Sequence, residues 1–200
     1  MSKSFKEALQ SRRTYYAIND SSTLNSDQLQ DLVDFALINV PSSFNSQSSR
    51  LVLLLGEHHK KLWGGIVMDT LRAIVPAENF APTEAKINAF AAGHGTILFF
   101  EDQKTVQGLQ AQFPLYADNF PHFARDTSAM HQLAVWTMLE NEGLGASLQH
   151  YNPIIDAKVQ ETWSLDPNWT LLAQMPFGGI VEAPPAKEHQ PVEARRKFFK

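Results

Sequence analysis

The stretch Pro41-Ser42-Ser43-Phe44-Asn45-Ser46-Gln47-Ser48-Ser49-Arg50 runs straight into Leu51-Val52-Leu53-Leu54-Leu55-Gly56. Five consecutive aliphatics closed by a glycine predict a buried strand of a layered domain. The ten residues before them predict a surface loop, because Ser and Asn side chains satisfy turn backbone locally. A polar loop fixed to a rigid strand is also a good place to hold a polar ligand, and Ser42, Ser43, Asn45 and Gln47 supply hydroxyls and amides for one.

Working outward, Pro41 ends an amphipathic helix over Ser26–Asn39, with Ser26 as its cap and Leu29, Leu32, Val33, Ala36 and Leu37 on its apolar face. A short helix from Ser4 to Gln10, capped by Ser2 or Ser4, leads into Ser11-Arg12-Arg13-Thr14. Two guanidinium groups and a hydroxyl at a helix end can bind a phosphate or can remain a solvated terminus. After the first strand, Glu57–Val75 reads as a helix whose adjacent His58 and His59 diverge by about 100° and so make a poor metal pair; exposed surface is their expected place. Thr83–Ala92 is helical with Thr83 as cap, Thr96–Phe100 is a second strand, and Lys104–Gln112 is helical again. The aromatic, proline-containing segment Phe113–Phe123 reads as a loop or broken helix.

Ala124–Glu142 is the longest helix and is apolar on most sides, which predicts a place at the centre of the fold or in a subunit interface. Gly143-Leu144-Gly145-Ala146 closes it, and Leu148–Pro153 runs extended. A helix over Ile154–Trp163 follows, then a third strand over Trp169–Pro176 that bends at Phe177-Gly178-Gly179. The order of elements predicts one domain over residues 1–200, of α+β class, with a small mixed or antiparallel sheet flanked by helices.

Composition excludes several chemistries. With no cysteine there is no disulfide, thiolate metal site or cysteine nucleophile. A formal charge of -4 argues against a general nucleic-acid binder, although Arg195, Arg196, Lys197 and Lys200 cluster near the C-terminus. No apolar run approaches membrane length and the N-terminus lacks an apolar signal core, so a cytoplasmic protein acting away from membranes is expected. The Rossmann, P-loop, zincin and serine-hydrolase signatures are all missing, and the seven histidines show no metal-ligand spacing. An enzyme of this kind borrows its chemistry from a cofactor.

Four motifs in order resemble the FMN-dependent nitroreductases. Ser11-Arg12-Arg13-Thr14 is similar to their Arg-Arg-Ser/Thr run, and Pro41-Ser42-Ser43-x-Asn45-x-Gln47 to their Pro-Ser-x-x-Asn-x-Gln loop. Gly143-Leu144-Gly145 is similar to their Gly-Leu-Gly turn, and Pro176-Phe177-Gly178-Gly179 to their late-strand glycines. Length and loop sequence are closest to the small nitroreductase-like branch, which has copper-induced lactococcal and yeast lipid-signalling-associated members.

The resemblance implies a nitroreductase-like fold, a two-fold homodimer and one FMN in each of two interface sites. By position, Arg12, Arg13 and Thr14 would hold the phosphate and ribityl groups, with Arg195 and then Lys197 reaching the phosphate from the tail. Pro41, Ser42, Ser43, Asn45 and Gln47 would serve the flavin of the partner subunit. Gln149, His150 and Tyr151 would line the ring with a backbone N–H near N5, and Lys86 would approach its polar edge. Tyr16 stands where family members often carry Arg, and His150 where some carry an acid. The implied activity is ping-pong: NAD(P)H gives a hydride to FMN, and a nitroaromatic or quinone then takes two electrons. No catalytic side chain and no metal is implied. A flavin-binding sensor with little turnover is the alternative reading.

Overall fold

The computed structural model describes residues 3–200. Its frame is a five-stranded sheet. The strands are β1 (Ile18–Asn19), β2 (Ser49–Leu55), β3 (Gly95–Asp102), β4 (Leu144–Ala146) and β5 (Trp169–Ile180). The order is β1-β5-β3-β2, with β4 also on β5, and every ladder is antiparallel. β3 lies between β2 and β5, and its residues alternate faces as pleating demands. Leu98 and Phe100 join an apolar cluster on one side; Ile97 and Phe99 join a second cluster on the other. The aliphatic run Leu51–Leu55 is thus not the buried strand that its composition suggests. It is the sheet edge, with only Leu54 fully buried, because only β3 pairs with it.

Helices cover both faces. The helix α2 (Ser26–Asn39) buries Leu29, Leu32, Val33 and Ala36, while Leu37 stays 36% exposed. Its cap is Asn25 rather than Ser26: the Asn25 side chain accepts from the Gln28 N–H, and Gln28 returns a bond to the Asn25 backbone. Ser4 caps α1 (Phe5–Ser11) in the same reciprocal way with Glu7; Ser2 lies outside the described residues.

The predicted Glu57–Val75 helix is three pieces: α3 (Glu57–Lys60), a π-helical turn over Lys61–Val67, and α4 (Met68–Arg72). His58 is exposed as expected, but His59 is 1% exposed. The Trp63 indole N–H donates to Thr96 Oγ1 at 2.8 Å, and His59 Nδ1 meets the same oxygen at 2.9 Å. α5 (Ala81–Ala91) starts two residues before Thr83 and has no side-chain cap. α6 spans Gln103–Gln112.

The aromatic segment resolves into a 3-10 turn over Pro114–Asn119 and the first turn of α7 (Phe120–Asn141), which begins four residues before the expected Ala124. α7 is not apolar all round. Thr127, Ser128, His131, Thr137 and Glu140 are buried, while Met130 and Leu133 are 40% and 46% exposed. α8 spans Asp156–Trp163, starting after Ile154.

β5 does not bend away at Gly178-Gly179. It continues to Ile180, and those glycines let β1 come close: a Cβ on Gly178 would land on the Asn19 carbonyl oxygen, and one on Gly179 on Ser21 Oγ.

Candidate functional site

Sheet register sets two polar regions at diagonal corners. At one corner, Thr14 bridges to Ala146 and the Tyr15 N–H donates to the Ala146 carbonyl at 3.0 Å. Ala146 is opposite Phe177, Phe177 opposite Gly95, and Gly95 opposite Leu55. At the other corner, Ser49 is opposite Glu101 and Glu101 opposite Thr170. The corners are about 20 Å apart along the strands and about 20 Å across them, from strand rise and spacing.

The first corner carries Arg12, Arg13 and Thr14. The guanidinium of Arg12 lies 4.4 Å from the Trp136 ring centre, and its Nε is buried with no hydrogen-bond partner among the described residues. Arg13 donates from Nη2 to the Pro185 carbonyl at 2.6 Å, which draws the C-terminal segment across Thr14–Ala17 and walls a cavity of about 190 Å³. Gly145 permits the approach, since a Cβ there would sit 2.9 Å from Tyr15 Cβ.

Downstream, Gln149 exchanges backbone bonds with Gln174, and the Gln174 side-chain oxygen accepts the Tyr151 N–H at 2.8 Å. His150, exposed between them, is the member of the triplet whose N–H has no partner among the described residues. Tyr151 meets Trp63 edge-on at 5.7 Å, Trp63 meets Phe90 at 4.9 Å with the rings tilted by 51°, and Tyr16 and Lys86 both reach the Phe90 ring. Burial and the nearby Tyr16 phenol raise the Tyr151 pKa above the ordinary tyrosine value.

The second corner is the opening loop. Its backbone is contorted: Phe44, Asn45 and Gln47 all have positive φ, at 58°, 51° and 47°. Non-glycine residues persist there only when their surroundings over-determine them. Three devices do so. Ser42 Oγ accepts the Gln47 N–H at 3.0 Å. Phe44 sets its ring among Phe113, Tyr116 and Phe120, with centres 5.0, 6.0 and 5.1 Å away. Arg50 donates to the Gln47 carbonyl at 2.7 Å while pairing with Asp102 at 2.8 Å.

Behind the loop lies a group that motif reading passed over. Glu101 is 1% exposed, and the hydroxyls of Ser48 and Ser49 donate to its two carboxylate oxygens at 2.6 and 2.5 Å. Burial raises its pKa above the ordinary carboxylate value, against the lowering effect of those hydroxyls and Arg50. The signal was in the sequence as Ser48-Ser49 and Glu101, but only strand pairing joins residues so far apart. Pro41, Asn45 and Gln47 are exposed, and Ser42 and Ser43 half-buried. Arg195 and Lys197 are exposed in the tail, and no recorded contact ties their side chains to Arg12 or Thr14. Among the described residues there is no metal-binding cluster and no helix long and apolar enough to cross a membrane.

Comparison with known proteins bears on the family and the fold. Residues 9–179 match the family model described as "Nitroreductase family". The Saccharomyces cerevisiae protein HBN1 is 37% identical over 186 residues, covering 92% of this chain and 91% of that one. Nitroreductase CinD from Lactococcus lactis, solved with chloramphenicol, superposes with a TM-score of 0.90 at 41% identity, covering 98% of this chain and 100% of that one; CinD has also been solved with 4-nitrophenol. A protein from Exiguobacterium sibiricum solved in complex with FMN shares the fold at a TM-score of 0.71 and 12% identity, covering 100% of this chain and 99% of that one. With its α+β fold and its ordered motifs, this chain belongs to the nitroreductase family.

Proposed function

We propose that this protein is an FMN-dependent NAD(P)H oxidoreductase acting on nitroaromatics or quinones as a homodimer. The observation that carries the proposal is the diagonal layout. Phosphate-type donors at Arg12–Thr14 and amide and hydroxyl groups at Ser42–Gln47 both suit one flavin, yet within a single chain they stand at opposite corners of the sheet. A two-fold arrangement lets the loop of one copy meet the arginines of another. The exposed Met130 and Leu133 on an otherwise central helix suit such an interface. The chloramphenicol and 4-nitrophenol complexes of CinD support the choice of acceptor class.

The donor set fits FMN. The Arg12 guanidinium, whose Nε has no partner among the described residues, and the Thr14 hydroxyl would hold the phosphate, with Arg195 and Lys197 closing over it from the tail. Arg13, anchored on Pro185, holds that tail in place. Pro41, Ser42, Ser43, Asn45 and Gln47 would come from the other copy. Because Gln174 occupies the N–H groups of Gln149 and Tyr151, the N–H of that triplet left to meet a bound flavin would be that of His150. Lys86 would face the polar edge of the ring. Bound FMN supplies hydride acceptance from NADH or NADPH and two-electron transfer to the acceptor. The protein orients both partners, and no side chain has to carry a proton.

The test is an anaerobic titration of the purified protein with NADH and NADPH, then with nitroaromatic and quinone acceptors. The expected result is a yellow protein whose absorbance bleaches and returns. A protein that takes up no FMN refutes the proposal, and one that binds FMN without turnover is a sensor instead.

A further inference from the structure

The Ser42–Gln47 loop is followed by a polar cluster made of Glu101, Ser48 and Ser49, all three buried. The two serine hydroxyls stand 2.6 and 2.5 Å from the two carboxyl oxygens, and among the described residues nothing else bonds to that carboxyl. Asp102, the next residue, has the cation that Glu101 lacks: Arg50 meets it at 2.8 Å on the opposite face of the sheet. The ionisable groups that border the adjoining cavities are Arg125 and His131 on α7 and Asp156 on α8, and none of them bonds to Glu101.

This cluster has two complete hydrogen-bonded states. Ionised, the carboxylate accepts from both hydroxyls. Protonated, it donates to one serine oxygen and accepts from the other hydroxyl, so no bond is lost and no charge is buried. Ionisation therefore places a charge with no bonded cation in the interior, and admitting water relieves it. The loop is the least costly way in. It carries three non-glycine residues at positive φ and hangs from the edge strand β2. Its own amides rest on few bonds: Asn45 N–H to the Ser42 carbonyl, Ser46 N–H to the Ser43 carbonyl, and Gln47 N–H to Ser42 Oγ. β3, by contrast, is paired on both sides. Burial raises the folded-state pKa of Glu101, the direction expected where a closed loop favours the proton.

We propose that Glu101 is a proton-dependent lock on the Ser42–Gln47 loop: protonated, it holds the loop in place through Ser48 and Ser49, and on losing its proton it releases the loop. The lock regulates the site proposed above and rests on that reading only for what the loop holds; its test needs no flavin. Amide hydrogen exchange of the full-length protein is followed at Asn45, Ser46 and Gln47, with Ile97–Phe100 of β3 as the reference. Glu101→Gln keeps the shape, a donor and an acceptor but cannot ionise, so it mimics the locked state. The ratio of wild-type to Glu101→Gln exchange at the loop amides should rise by up to about tenfold per pH unit above 4.5 and then level off, while the β3 amides exchange far more slowly in both proteins. In the wild-type protein, the carboxyl ¹³C resonance of Glu101 should titrate over the same range as the loop exchange, a readout that does not depend on the variant folding. A ratio that stays flat with pH, a carboxyl that titrates without a change at the loop, or loop amides that exchange only together with β3 would each overturn the lock. The FMN affinity of wild type relative to Glu101→Gln should fall over the same pH range. A loop that opens with that relative affinity unchanged upholds the lock and counts against the flavin reading.

Discussion

The two corners of the sheet are built on opposite plans. The Arg12–Thr14 corner is held by backbone: a bridge to Ala146, glycine-enabled contact at Gly145, and the Gln149–Gln174 exchange on β5. The Ser42–Gln47 corner hangs from the edge strand β2 and is held by side chains: the Phe44 ring, the Arg50–Asp102 pair and the buried Glu101 beneath Ser48 and Ser49. A backbone-held site is sensitive to substitution where a close approach requires a glycine, as at Gly145 and Gly178. Side-chain-held sites can lose function while the fold survives.

The sharpest way to break that contrast is to substitute in each corner and compare folding with binding. Gly178→Ala puts a Cβ against the Asn19 carbonyl oxygen and 2.9 Å from the His94 nitrogen, both backbone atoms. It should cost about 3 kcal/mol or more and appear as a large drop in Tm. Next in size is Glu101→Ala, which leaves two buried hydroxyls without an acceptor and should cost about 2–3 kcal/mol in denaturant unfolding. Asn45→Ala and Gln47→Ala should instead lower Tm by no more than about 4 °C, the cost of left-handed backbone at Asn45 included, and weaken FMN binding about tenfold, measured by fluorescence titration. Equal effects on stability and binding at both corners would dissolve the distinction.

The smallest effect is one of pH. Burial raises the folded-state pKa of Glu101 above its reference value of 4.5, so between those two values the native state binds more protons than the unfolded chain. Stability contributed by this group is full below about 4.5 and declines as pH rises through the folded value. Glu101→Gln lacks that decline. The stability of the variant relative to wild type should therefore improve as pH rises above 4.5, and a flat difference across that range would show that Glu101 does not titrate as its burial requires.

Much of this was legible in the chain. α2 and its buried Leu29, Leu32, Val33 and Ala36 follow from helical periodicity, and the four motifs follow in order. The errors share a cause. Leu51–Leu55 looked central because aliphatic content reports hydrophobicity but not how many neighbours a strand has. Gly178-Gly179 looked like a bend because a sequence does not distinguish a glycine needed for its φ from one needed for a close neighbour. His59 looked exposed because its partner, Thr96, is 37 residues away. Glu101 went unread for the same reason: buried polar groups are defined by pairs, and pairing is a property of the folded sheet.

The π-helical turn over Lys61–Val67 has a consequence of its own. Such a turn holds one residue more than an α-helix of the same span. His59 and Trp63, four residues apart, converge on one Thr96 hydroxyl at its start, and nothing lies within 4 Å of where a Cβ on Gly64 or Gly65 would stand. Deleting either glycine would remove that surplus. It would let the segment relax into plain α-helix and rotate the residues on one side by about 100°. Leu62, Trp63, Ile66 and Val67 are all buried, so that rotation would either cost Trp63 its bond to Thr96 on β3 or turn Ile66 and Val67 out of the core; the extra residue is held in place by the packing on both its sides.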